Sequence, residues 1–116
     1  MATYAYDFTY TPTTWSRMLD EPADRTPMVA ATVAEVGGTL QGLWYGAEDA
    51  SGLAVIDSPD ADTATAILLV LQGSGAFASV RYRRMVAGAE LPALAERAAA
   101  ARRGYVRPGD RAGAPA

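Results

Sequence analysis

"GTLQGLWYGAEDASGLAVIDSPD", residues 38–60, decides the fold of this chain. Two runs rich in Leu, Val, Ile, Trp and Tyr, "TLQGLWYG" and "GLAVIDS", read as strands joined by a short loop. Before them, Met28, Val29, Thr32, Val33 and Val36 fall on one helical stripe, which Gly37 and Gly38 end as a C-cap does. After them, Ser58 or Asp60 caps a second helix with Ala64, Ile67, Leu68 and Leu71 as its stripe, and Gly73 and Gly75 stop it. The middle of the chain is therefore helix, hairpin, helix.

A strand lies on each side of that block. In "TYAYDFTY" (residues 3–10) Tyr4, Tyr6, Phe8 and Tyr10 alternate with Thr3, Ala5, Asp7 and Thr9. Aromatic residues at period two mark a strand with two unlike faces. "AFASVRYRRMV" (76–86) is the fourth strand. Between the first strand and the first crossover helix, Pro12 suits the first turn of a short helix over "TTWSRML". "DEPADRTP" is a loop or helix start marked by Pro22 and Pro27. Leu91, Leu94, Ala95 and Ala98 mark a C-terminal helix, and the chain closes on "GYVRPGDRAGAPA".

The order βαββαβ plus one helix predicts an α+β, ferredoxin-like fold: a four-stranded antiparallel sheet with both crossover helices on one face. Residues 1–103 form the expected single domain, and 104–116 a mobile tail.

Composition narrows the chemistry. The chain of 116 residues contains no cysteine and no histidine, so disulfides, thiol chemistry and imidazole-dependent sites are excluded. The acids are scattered rather than spaced as a calcium loop, and neither a metal nor another cofactor is expected. The longest apolar run, "AILLVL" at 66–71, is far short of a membrane span, and the N-terminal stretch has no secretory pattern. A cytoplasmic protein is the expectation. All ten bases are arginine, which with the abundant Ala and Gly suggests a GC-rich, actinobacterial type of genome. Residues 1–62 carry ten acids and two arginines, whereas residues 81–116 carry eight arginines and three acids. That asymmetry can steer one subunit against its partner, and a pI near 4.8 argues against nucleic acid.

Two helices cover one sheet face. An uncovered apolar face of many hundreds of Å² is not tolerated in a soluble monomer, so a homodimer through the bare sheet face is predicted.

"MATYAYDFTYTPTTW", then "PADR…VAEVGGTLQGLWY", then "AVIDSPD" together resemble the GYD-domain family of the dimeric α/β-barrel superfamily, over roughly residues 2–86. The resemblance implies the fold and a dimer, and no particular activity. The family's hairpin typically reads Gly-Glu-Tyr-Asp just before the third strand. Here that span is Glu48-Asp49-Ala50-Ser51, so only an acid at position 49 can be matched and the naming motif is degenerate.

Asp7 stands mid-strand among apolar neighbours, where the resemblance implies an aliphatic residue. Strand four lies antiparallel beside strand one in the expected order, which sets Asp7 near Arg81. One reading is an Asp7–Arg81 ion pair; the other is a pocket acid whose pKa burial raises, serving as a proton carrier. Arg81 or Arg83 is a candidate clamp for an anionic group, and a Tyr6 or Tyr45 hydroxyl for a carbonyl oxygen. Trp15, Trp44 and Tyr82 either belong to the core or line a pocket for a flat hydrophobic ligand, and Asp49 either lies in a solvated loop or forms a pocket rim.

The leading expectation is a cofactor-free enzyme acting on a small apolar organic molecule, in natural-product tailoring by cyclisation, isomerisation or dehydration. Superfamily relatives imply cofactor-independent oxygenases as a further class. The alternative is a non-catalytic ligand-binding or stress-associated dimer. An RNA-recognition module on the same topology is set aside for want of a basic, aromatic central strand.

Overall fold

Alternation along β1 (Ala2–Tyr10) sorts its side chains onto two faces, and Tyr4, Tyr6 and Phe8 are buried on one of them. A computed structural model of the chain describes residues 1–111. β1 pairs antiparallel with both β3 (Gly52–Ser58) and β4 (Phe77–Met85), and β2 (Thr39–Tyr45) pairs antiparallel with β3. The resulting order, β2-β3-β1-β4, is the expected ferredoxin-like sheet.

The helices start and stop where side chains satisfy their free backbone groups. In α1 (Pro12–Asp20) the Thr11 hydroxyl accepts from the Thr14 N–H at 3.2 Å, and Pro12 opens the first turn. α2 (Thr26–Glu35) ends at Gly37, whose φ of +82° turns the chain so that the following Gly38 N–H bonds the Val33 carbonyl at 3.0 Å. Of the two candidate caps for α3 (Ala61–Gly73), Asp60 fills the role, accepting from the Thr63 N–H at 2.7 Å. Ser58 is instead the buried last residue of β3.

The core packs Tyr4, Tyr6, Phe8, Ala54 and Ile56 of the sheet against Val33 of α2 and Ala64 and Ile67 of α3. Tyr6 is its deepest large side chain: its ring stacks on Tyr82 at 5.3 Å and its hydroxyl donates to the Ala64 carbonyl at 2.6 Å. The α3 stripe is as expected. The α2 stripe is not, since only Val33 is buried and Met28, Thr32 and Val36 are exposed. The reason is space: Met28, Val29 and Thr32 border a cavity between α2 and the sheet, and α2 closes on the core through Val33.

The opposite face of the sheet carries no helix of this unit, and its character differs from expectation. Trp44, lying across Gly42, joins Leu53 and Val55 in an apolar strip over β2 and β3. Over β1 and β4 the face is charged, with Asp7, Arg81 and Arg83. Asp57 accepts from Thr3 at 2.6 Å and from Gln41 at 2.5 Å. The oily patch is thus half of the face, because the aromatic side of β1 points toward the helices.

The sheet and its three helices form one unit, Met1–Met85, and a second begins at Val86. The second contains a turn of 3-10 helix (Gly88–Glu90) and α4 (Leu91–Arg102), followed by an Arg107–Asp110 ion pair at 2.7 Å. Of the expected tail, residues 112–116 lie outside the described residues. Among the described residues, no helix is long and apolar enough to cross a membrane.

Candidate functional site

The register shift between Thr9 and Tyr10 ends β1 on an aromatic cluster. Tyr10 meets Trp15 of α1 edge-on at 5.3 Å, and its hydroxyl lies 3.0 Å from that of Tyr45. Phe8 packs edge-on against Phe77 at 5.2 Å and lies over Gly52, where a Cβ would fall 2.1 Å from the ring. Only glycine permits that approach.

Beside this cluster, between the sheet and α1, α2 and α3, is a cavity of about 480 Å³. Its walls are mostly apolar, with Phe8, Ile56, Val29, Val33, Ile67 and Leu71 among them. The polar groups that reach it include Tyr10 and Thr14, together with Arg17, Glu21 and Arg25 from α1 and the α1–α2 connection. Thr14 spends its hydroxyl on the Ala76 carbonyl at 2.8 Å. Burial pushes the Tyr10 phenol far above its ordinary range, and the hydrogen bond to Tyr45 adds to the shift, while Arg25 beside it pulls the other way. Tyr10 is therefore neutral at physiological pH, a hydrogen-bond donor rather than a base.

The sequence-derived candidates divide between the two sides of the sheet. Asp7 lies opposite Arg81 in register, as expected, but its ionic contact is diagonal, with Arg83 at 3.7 Å. Both partners are substantially exposed, on the face away from the cavity. Asp7 does not line this cavity, because the parity that sends Tyr6 and Phe8 inward sends Asp7 outward. Asp7, Asp49 and Arg81 do come together, with Ser51 and Ser79, around an open depression on that outer face. Asp49 is both turn and rim, because its carboxylate accepts from the Ser51 N–H at 3.0 Å and the Ser51 hydroxyl at 2.8 Å. Those bonds hold its pKa below the usual carboxylate value.

Among the aromatic candidates, Tyr6 has no free hydroxyl to offer a ligand. Its pKa is pushed up to about 12 by burial, then by Tyr82 and Tyr4. Tyr82 bonds Thr65 at 2.7 Å and ties β4 to α3. Trp44 stands exposed on the outer face. Tyr45 and Trp15 adjoin the cavity through Tyr10.

Sequence reasoning missed Tyr10, Arg17 and Arg25 as site residues. Two signals for them were present. Tyr10 continues the inward parity of β1, and Arg17 and Arg25 are the only two bases among ten acids in the first 62 residues.

Comparison with curated proteins finds no match. The family model described as GYD domain matches residues 4–91, which takes in β1 from Tyr4 onward, the other three strands, the hairpin and every wall of the cavity, and the chain belongs to the GYD-domain family, within the dimeric α/β-barrel superfamily.

Proposed function

We propose that this chain is a homodimeric small-molecule protein that holds a mostly apolar organic molecule between its sheet and α1–α3. One observation carries the reading: an apolar-walled cavity of about 480 Å³, reached by a few convergent polar groups. That volume lies in the range of small-ligand pockets, about 300–1,000 Å³. The second copy covers the outer sheet face, burying Trp44, Leu53 and Val55.

The groups at the cavity favour holding a carbonyl oxygen. A neutral Tyr10 hydroxyl, exchanging its bond to the Tyr45 hydroxyl for one to the ligand, donates to that oxygen and stabilises charge developing on it. This supports a cofactor-free proton shift on a bound ketone or enol as the catalytic version of the reading, with the proton carried by substrate or water rather than by Asp7. Simple binding is the version that needs no further group.

The test uses Trp15 as a reporter. The chain has two tryptophans, so Trp44→Phe leaves a single indole, packed edge-on against Tyr10. Titration with a naphthol should change its emission saturably, and Val29→Trp, which fills the cavity, should abolish the heat of binding measured by calorimetry while the protein stays folded. An unaltered signal with no heat of binding, across apolar phenols and ketones, overturns the reading.

A further inference from the structure

We infer that the cavity selects an apolar molecule bearing a carboxylate, held by Arg25 and Arg17; the inference rests on the ligand-binding reading above. Arg17 and Arg25, both exposed, line the cavity, and the charge of Arg25 lowers the pKa of the Tyr10 phenol, which lines it too. Among the described residues the ion pairs are Asp7–Arg83 and Arg107–Asp110, so neither Arg17 nor Arg25 has a carboxylate within 4.0 Å. This holds although the same segment contains Asp20, Glu21 and Asp24. The Asp24 carboxylate is turned to its own backbone, accepting from the Thr26 N–H at 2.9 Å. Glu21 is the one acid at the cavity, against two arginines.

Two exposed cations that pair with no carboxylate among the described residues, set at the edge of an apolar cavity, favour an anion there, because the apolar wall weakens solvent screening on one side. Arginine presents a planar fork that matches a carboxylate bidentately. The Tyr10 hydroxyl is neutral and donates to the same oxygen. An apolar cation is disfavoured by the pair, and an uncharged ligand gains less from it than an anion does. The charge preference is also opposite to that of the whole chain, whose net charge is −3, so it is a local property of this opening.

Calorimetry with phenylhexanoate and its uncharged partner phenylhexanamide tests this on the full-length protein. The acid is expected to bind about tenfold more tightly than the amide, the size of one charge-assisted contact pair. Arg25→Gln with Arg17→Gln should erase that preference by weakening the acid about tenfold more than the amide, and Arg84→Gln, a base at the far end of β4, should preserve it. Higher salt should narrow the gap. Equal binding of acid and amide overturns the carboxylate inference and leaves the cavity reading standing. Absence of binding by both overturns the two together.

Discussion

The hydroxyls of Tyr10 and Tyr45 lie 3.0 Å apart, although 35 residues separate them in the chain. The contact joins the end of β1 to the end of β2 across β3, so it reports on how the sheet closes at the cavity. Tyr45→Phe removes a neighbour that raises the Tyr10 pKa, both by hydrogen bonding and by charge. The Tyr10 phenol should then ionise at lower pH than in the parent, though still above an ordinary tyrosine because its burial remains. Ultraviolet titration of tyrosinate checks this; an unchanged or higher midpoint refutes it.

Tyr6 makes stability depend on alkaline pH. Its folded pKa is raised to about 12 from an ordinary value of 10.0. A raised pKa means that its stabilising contribution is complete below pH 10 and is lost as pH climbs toward 12. Denaturant midpoints should fall across that window. Tyr6→Phe should cost about 1 kcal/mol near neutrality, for the lost bond to Ala64, and flatten part of the alkaline decline. A variant whose alkaline profile matches the parent's would exclude Tyr6 as the cause.

Much of this architecture is written locally. The period-two aromatics of β1, the Asp60 cap and the Gly37 stop are decisions made within a few residues, and each is legible from neighbours alone. The strand register that sets Asp7 against Arg81 is legible too, because sheet order and parity determine it. The diagonal contact of Asp7 with Arg83 is a matter of side-chain reach, which parity does not specify. The cavity is less legible still. It lies where α1, α3 and the first turns of α2 stand off the sheet together, and no single residue encodes a gap between elements. Asp7 was conspicuous because an acid breaks an apolar pattern, whereas Tyr10 and Arg25 break none.

Gly52 couples the sheet to the cavity wall. A Cβ at that position would stand 2.1 Å from the Phe8 ring, and Phe8 lines the cavity. Gly52→Ala must displace Phe8 toward the cavity or part β1 from β3. The cost should be about 1–3 kcal/mol, typical of overpacking a well-filled site. Ligand affinity should fall along with thermal stability. Gly73→Ala, at the end of α3, has open space around it and no positive φ, so it should leave affinity unchanged and thermal stability no lower than the parent's. Equal melting temperatures for Gly52→Ala and the parent would show that Phe8 has somewhere else to go.

The outer face separates subunit association from ligand binding. Leu53 is half-buried there, beside exposed Trp44, and Asp7 with Arg83 forms a pair exposed enough to contribute at most about 1 kcal/mol. If a second copy covers this face, the parent should scatter light at twice its 12.1 kDa mass. Leu53→Asp should then give a folded monomer, since a carboxylate buried against the partner's apolar strip has no counter-charge. Asp7→Asn should keep cavity binding intact because the sheet lies between them. Abolished ligand binding in Asp7→Asn, with the dimer retained, would return Asp7 to the site. A parent that stays at 12.1 kDa at high concentration would remove the second copy altogether.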